Sequence, residues 1–113
     1  MLFTETALGR LVPRGTPPDI EQRIVLRDLV LKVLFDSWRS PFNPHHRPLE
    51  KEALQRITLI ELKLLDDVVD ELTHEGLVQT AVAAPPMVRG LALTQKGFEE
   101  IQRVPHWSAS VAP

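Results

Sequence analysis

The sequence contains no cysteine. Disulfide staples, thiolate zinc sites, iron–sulfur clusters and cysteine nucleophiles are therefore excluded. Long apolar runs are missing too, and none approaches the roughly 18 residues of a membrane span. The opening Met1-Leu2-Phe3-Thr4-Glu5 lacks the basic start and apolar stretch of a secretory signal. These absences point to a soluble cytoplasmic protein with no membrane partner. Charge of one sign is also scarce. The net charge of -2 gives no strong overall field toward nucleic acid or acidic lipid. What remains is ordinary for a globular domain, at 43% hydrophobic and 25% charged residues. A length of 113 residues suits one domain with a buried core and leaves no room for a second. Ten prolines and five glycines are the strongest punctuation.

Residues 1–18 show no sustained period and read as a flexible tail. Within them Leu11-Val12-Pro13-Arg14-Gly15 resembles a thrombin cleavage sequence of the kind left by cloning, with Thr16 where serine is usual. A domain is expected over 19–104, followed by a loose tail over 105–113 in which Trp107 could dock. Thr16 can cap a helix that Pro17 opens, with Asp19 three residues on. That helix should run to about Trp38, where Ser40-Pro41 stops it. Its apolar residues cover most of the circumference, and Arg27, Asp28, Lys32 and Asp36 leave only a narrow wet stripe. Such a helix must be buried on nearly all sides. Either its own domain covers it or a second copy does. Ile24, Leu31, Val33, Leu34 and Phe35 are the candidate homodimer contacts.

A loop over 40–48 leads to a short helix from Pro48 to about Ile57, with Leu49, Ala53, Leu54 and Ile57 on one face. After a turn at Thr58-Leu59, Leu62, Leu65, Val69 and Leu72 mark the inner face of a third helix that Gly76 terminates. Two short strands follow, Leu77–Val82 and Met87–Leu93, joined by a longer loop at Ala83-Ala84-Pro85-Pro86. Thr94 caps a last helix over 95–103, with Phe98 and Ile101 inward and Pro105 beyond its end.

The stretch from Leu65 through Glu75-Gly76-Leu77-Val78 resembles the recognition helix and first wing strand of winged helix-turn-helix proteins. Leu91-Ala92-Leu93-Thr94-Gln95-Lys96-Gly97 is similar to the second wing strand and following helix of bacterial regulators of that type. The resemblance spans roughly 20–103. It implies an α+β, mainly α fold: three helices, a two-stranded wing and a C-terminal helix. It also implies a transcriptional regulator that binds DNA as a homodimer, with the third helix in the major groove and the wing on the backbone. Arg56, Lys63, Arg89 and Lys96 are the bases placed to serve, although each also reads as an ordinary surface charge.

The charge of the third helix opposes that role. Residues 58–76 hold six acids and one base, whereas the rest of the chain holds twelve bases and nine acids. An acidic face forfeits the counterion release that supplies most non-specific DNA affinity. The alternative is a module that binds a basic protein through the wing or through Glu61, Asp66, Asp67, Asp70 and Glu71. The bland account of the same residues is a solvated face. No enzyme motif occurs, neither a phosphate-cradling glycine loop nor a nucleophile elbow nor His-Glu-x-x-His. Asp66 and Asp67 cannot face one substrate from one helix side. His45 and His46 point apart on an extended loop, with His74 and His106 remote in sequence. No catalytic residue, metal or cofactor is expected.

Overall fold

The computed structural model describes residues 3–83 and 88–103. They form four helices and two small antiparallel sheets of two strands each, an α+β arrangement that is mainly helical. The order is β1 (Phe3–Glu5), β2 (Leu11–Pro13), α1 (Pro18–Arg39), α2 (Lys51–Thr58), α3 (Leu62–His74), β3 (Val78–Ala83), β4 (Val88–Leu93) and α4 (Gln95–Arg103). The expected loop tip at Ala84-Pro85-Pro86, the start of the second strand at Met87, and the tail with Pro105 and Trp107 lie outside the described residues. Among the described residues no helix is long and apolar enough to cross a membrane.

The expected N-terminal tail is instead a hairpin. Phe3 pairs with Pro13, Thr4 with Val12 and Glu5 with Leu11. Gly9, in the left-handed region at φ 84, helps the chain reverse, and its N–H donates to the Thr6 carbonyl at 2.9 Å. Leu8 and Val12 are buried. The hairpin is fastened to α1 by polar contacts. Thr6 Oγ1 donates to Asp28 Oδ2 at 2.6 Å, Arg10 Nε donates to the same oxygen at 3.0 Å, and Thr4 Oγ1 donates to Glu21 at 2.6 Å. Arg10 also reaches Glu100 of α4 at 3.3 Å. Burial of Arg10 opposes its charge, but Asp28 and Glu100 together outweigh that and raise its pKa above the ordinary value. Asp28, expected on the wet stripe, is only 3% exposed.

This arrangement also corrects the expected dimer contacts. Leu31 and Leu34 are 1% and 3% exposed, inside the core of the single chain. α1 packs against α2, α3, α4 and β4, so most of its apolar circumference is covered without a partner. Ile24, Val33 and Phe35 are half-buried. Phe35 and Trp38 pack around Phe98 of α4, at ring separations of 6.3 and 4.8 Å.

Local signals explain the remaining boundaries. Thr16 is not the helix cap. Its N–H closes a turn onto the Pro13 carbonyl at 3.0 Å, Pro17 takes the cap position, and no side chain caps α1. Two prolines bring no N–H to the helix start, which removes donors a cap would satisfy. α2 begins at Lys51 rather than Pro48, because the N–H and carbonyl of Leu49 both pair with Leu91, at 3.0 and 2.8 Å. That bridge lays Leu49 against the free edge of β4. α3 ends as expected. Gly76, at φ 77, donates to Thr73, and Leu77 donates back to Leu72, both at 3.0 Å. This is the double hydrogen bond of a Schellman end. Thr94 caps α4 by accepting the Gly97 N–H at 3.0 Å.

Leu65, Val69 and Leu72 are buried as their spacing requires, but Leu62 is 46% exposed at the first position of α3. Ile57 also faces solvent. Leu62→Ala should therefore change stability by less than about 0.5 kcal/mol, as measured by urea unfolding. A loss above about 2 kcal/mol would show that Leu62 is packed.

Candidate functional site

α3 is the element on which the two expected functions differ. Its inner face is apolar and packed, which fixes the outward direction of its charged residues. Three of the acids in this region are held by bases from other elements. Lys51 of α2 donates to Asp66 at 2.6 Å. This hydrogen bond first, and the attraction between the charges second, raise the Lys51 pKa above its ordinary value. Glu71 receives Arg23 at 3.0 Å and Arg27 at 3.1 Å from α1, and Arg27 also reaches Glu75 at 2.9 Å. A face counted as six like charges is thus half-neutralised from within. Arg23 and Arg27 stand one helical turn apart on α1, a spacing visible in the sequence, but their partners lie 44 to 48 residues away.

Glu61, Asp67 and Asp70 are exposed and have no ion pair among the described residues. Beside Asp67 a groove of about 460 Å³ runs between α1 and α3. Ile20, Ile24, Leu26, Leu64 and Val68 give it apolar walls, and its polar lining is Asp19, Gln22, Asp67 and the two arginines that pair with Glu71, Arg23 and Arg27. Ile24, expected at a dimer contact, is one of those walls. At the α2–α3 corner Leu59 is 86% exposed, held in the left-handed region at φ 58, and Ile57 and Leu62 flank it in the chain.

The four candidate DNA-contacting bases do not form one strip. Arg56 and Lys63 are exposed at the α2–α3 corner, where α3 begins. Lys96 lies at the opposite end of α3, where its Nζ donates to the Glu75 carbonyl at 2.9 Å. A 13-residue helix is about 20 Å long, so these bases are widely separated. Arg89 lies on β4 opposite Val82, on the second hairpin. Between the ends of α3, the exposed charges are Asp67 and Asp70.

His46 is committed to the fold. Its ring stacks on Trp38 at 4.3 Å, and its Nδ1 lies 2.7 Å from the Trp38 carbonyl. Among the described residues no group of three or more His, Asp or Glu side chains could hold a metal ion. No family model matches the chain, and no curated protein matches it.

Proposed function

We propose that this chain is a winged-helix module that binds a basic protein partner through the outer face of α3 and the adjoining α1–α3 groove. The observation that carries this reading is the groove: apolar walls with the exposed Asp19 and Asp67 beside them and Asp70 one turn further along α3, while Arg23 and Arg27, which also line it, are both paired with Glu71. An apolar side chain flanked by Lys or Arg fits that chemistry. The slot would remove the apolar group from water, and the carboxylates would attract the bases during encounter. The resemblance to DNA-binding regulators favours DNA. Two exposed aspartates on the helix that would enter the groove oppose it, since they repel phosphates and release no counterions.

One double substitution separates the two functions. Asp67→Asn with Asp70→Asn should weaken binding of a Lys-flanked amphipathic peptide by about tenfold at low salt, mainly by slowing association. The same pair should tighten binding to duplex DNA and steepen its salt dependence. Fluorescence anisotropy with both probes measures this. Wild-type binding to a defined DNA site that stays tight near about 150 mM salt would overturn the reading.

A further inference from the structure

Residues 104–113 follow α4 and lie outside the described residues. Their composition matches the groove between α1 and α3. The segment holds no acid, and its indole, Trp107, comes directly after His106 and four residues after Arg103. An apolar side chain accompanied by bases is the chemistry that apolar walls beside free carboxylates select. The place where the segment begins agrees. Glu100, in the last turn of α4, lines a recess of about 130 Å³ together with Ile24 and Arg27 of α1. The same Ile24 and Arg27 line the groove. Arg103, where α4 ends, lies 3.7 Å from Glu100 and is 75% exposed. Pro105 has no N–H with which to continue a helix. Four residues beyond Arg103 give Trp107 up to about 13 Å of chain, a little more than the diameter of one helix.

We infer that Trp107 seats in the α1–α3 groove of its own chain, so that the segment after α4 is a built-in ligand of that site. Ile20, which is 50% exposed, and Ile24, Leu64 and Val68 give the ring apolar cover. Arg23 and Arg27 are held in the same lining by Glu71. Guanidinium groups fixed in place favour the face of an aromatic ring, and indole most of all. An aromatic side chain therefore fits this groove better than an aliphatic one. Asp19 and Asp67, both exposed, attract Arg103 and the protonated form of His106. The short tether presents the indole at an effective concentration in the millimolar range. A contact too weak to hold a free peptide thus suffices to fill the groove. A basic protein that binds there must displace Trp107. That consequence rests on the partner reading above, whereas the seating of Trp107 does not.

Fluorotryptophan in place of both indoles makes the test direct, since fluorine NMR of the whole chain then reports Trp38 and Trp107 separately, with Trp107→Ser as the assignment. The Trp107 resonance should shift little between light and heavy water, the mark of a ring withdrawn from solvent. Ile20→Ser, which shortens a half-exposed wall of the groove, should raise that shift toward the value of free indole and leave the Trp38 resonance in place. In a mixture of isotope-labelled and unlabelled copies, nuclear Overhauser contacts from the Trp107 ring to the Ile24 and Leu64 methyls should arise within one copy. A Trp107 ring with the solvent shift of free indole, a ring indifferent to Ile20→Ser, or contacts that arise only between copies overturns the inference. Trp107→Ser should also tighten binding of the Lys-flanked amphipathic peptide by at least about threefold. Equal affinity for the two forms likewise overturns the inference and leaves the partner reading standing. A peptide that binds neither form while the Trp107 ring stays shielded defeats the partner reading instead, and the seating of Trp107 holds.

Discussion

Replacing Gly97 with alanine should destabilise the domain by about 2–3 kcal/mol and lower its melting temperature by about 10–20 °C. Gly97 lies in the first turn of α4, where a Cβ would collide with the Leu77 carbonyl oxygen and come within 3.2 Å of Leu93 Cδ2. Neither side can yield easily. The Leu77 carbonyl is held by the Thr94 N–H at 3.1 Å, and the Thr94 hydroxyl ties the start of α4 to the Gly76 carbonyl. Alanine gains about 1 kcal/mol of helix propensity over glycine, which offsets only part of the collision. The comparison is Gly15→Ala. An added Cβ there meets nothing within 4 Å, and Gly15 is not in the left-handed region. It should be neutral or stabilise slightly, by reducing the freedom of the unfolded chain. Urea unfolding of the two variants measures the contrast. Equal midpoints would mean that α4 does not rest on Leu77.

Asp28→Ala should cost about 2–3 kcal/mol, and the loss should be concentrated in the N-terminal hairpin. The substitution leaves the buried Thr6 hydroxyl without its acceptor and removes the carboxylate that Arg10 faces. The Arg10 side chain is 38% exposed and keeps Glu100, so water relieves part of the penalty. Asp28→Asn retains an acceptor and should lose about half as much. Hydrogen exchange provides the spatial check. The amides of β1 and β2 and the Thr6 N–H should lose protection, while those of α3 keep theirs. Uniform loss along the chain would show that the hairpin does not open separately.

These two sites differ in how far the sequence disclosed them. Residues whose signal is local were legible. The spacing of Leu65, Val69 and Leu72, the glycine at 76 and the Thr94 cap each act over one or two helical turns, so the chain itself carries the message. The hairpin over 3–13 was not legible. Its strands are three residues long, too short for alternation to register, and its docking depends on Asp28 and Glu100, which lie 18 and 90 residues from Arg10. Asp28 resembled a surface charge because its partners are outside its own helix. The same distant contacts account for Leu31 and Leu34. Their apolar character serves a core closed by other parts of the chain, where periodicity alone also allowed a second copy. At the candidate site the acids of α3 were visible and their arrangement was not. Arg23, Arg27 and Lys51 decide which carboxylates remain open, and none of them belongs to α3. Phe42, 95% exposed in the loop after α1, carried no periodic signal at all, and neither did the bonds of its neighbour Asn43 to the Ser37 and Arg47 backbone.

Arg10 gives the molecule an order of events during its synthesis. Translation delivers residues 3–13 well before Glu100, yet one guanidinium must bind both Asp28 and Glu100. Growth at about 5–20 residues per second leaves the hairpin several seconds with α1 as its only available anchor. During that interval the core that includes Leu8 still awaits Ile101. Full docking comes only when α4 has left the ribosome. A nascent chain halted before residue 95 should therefore expose its N-terminal hairpin to proteases that cannot cut it in the finished protein.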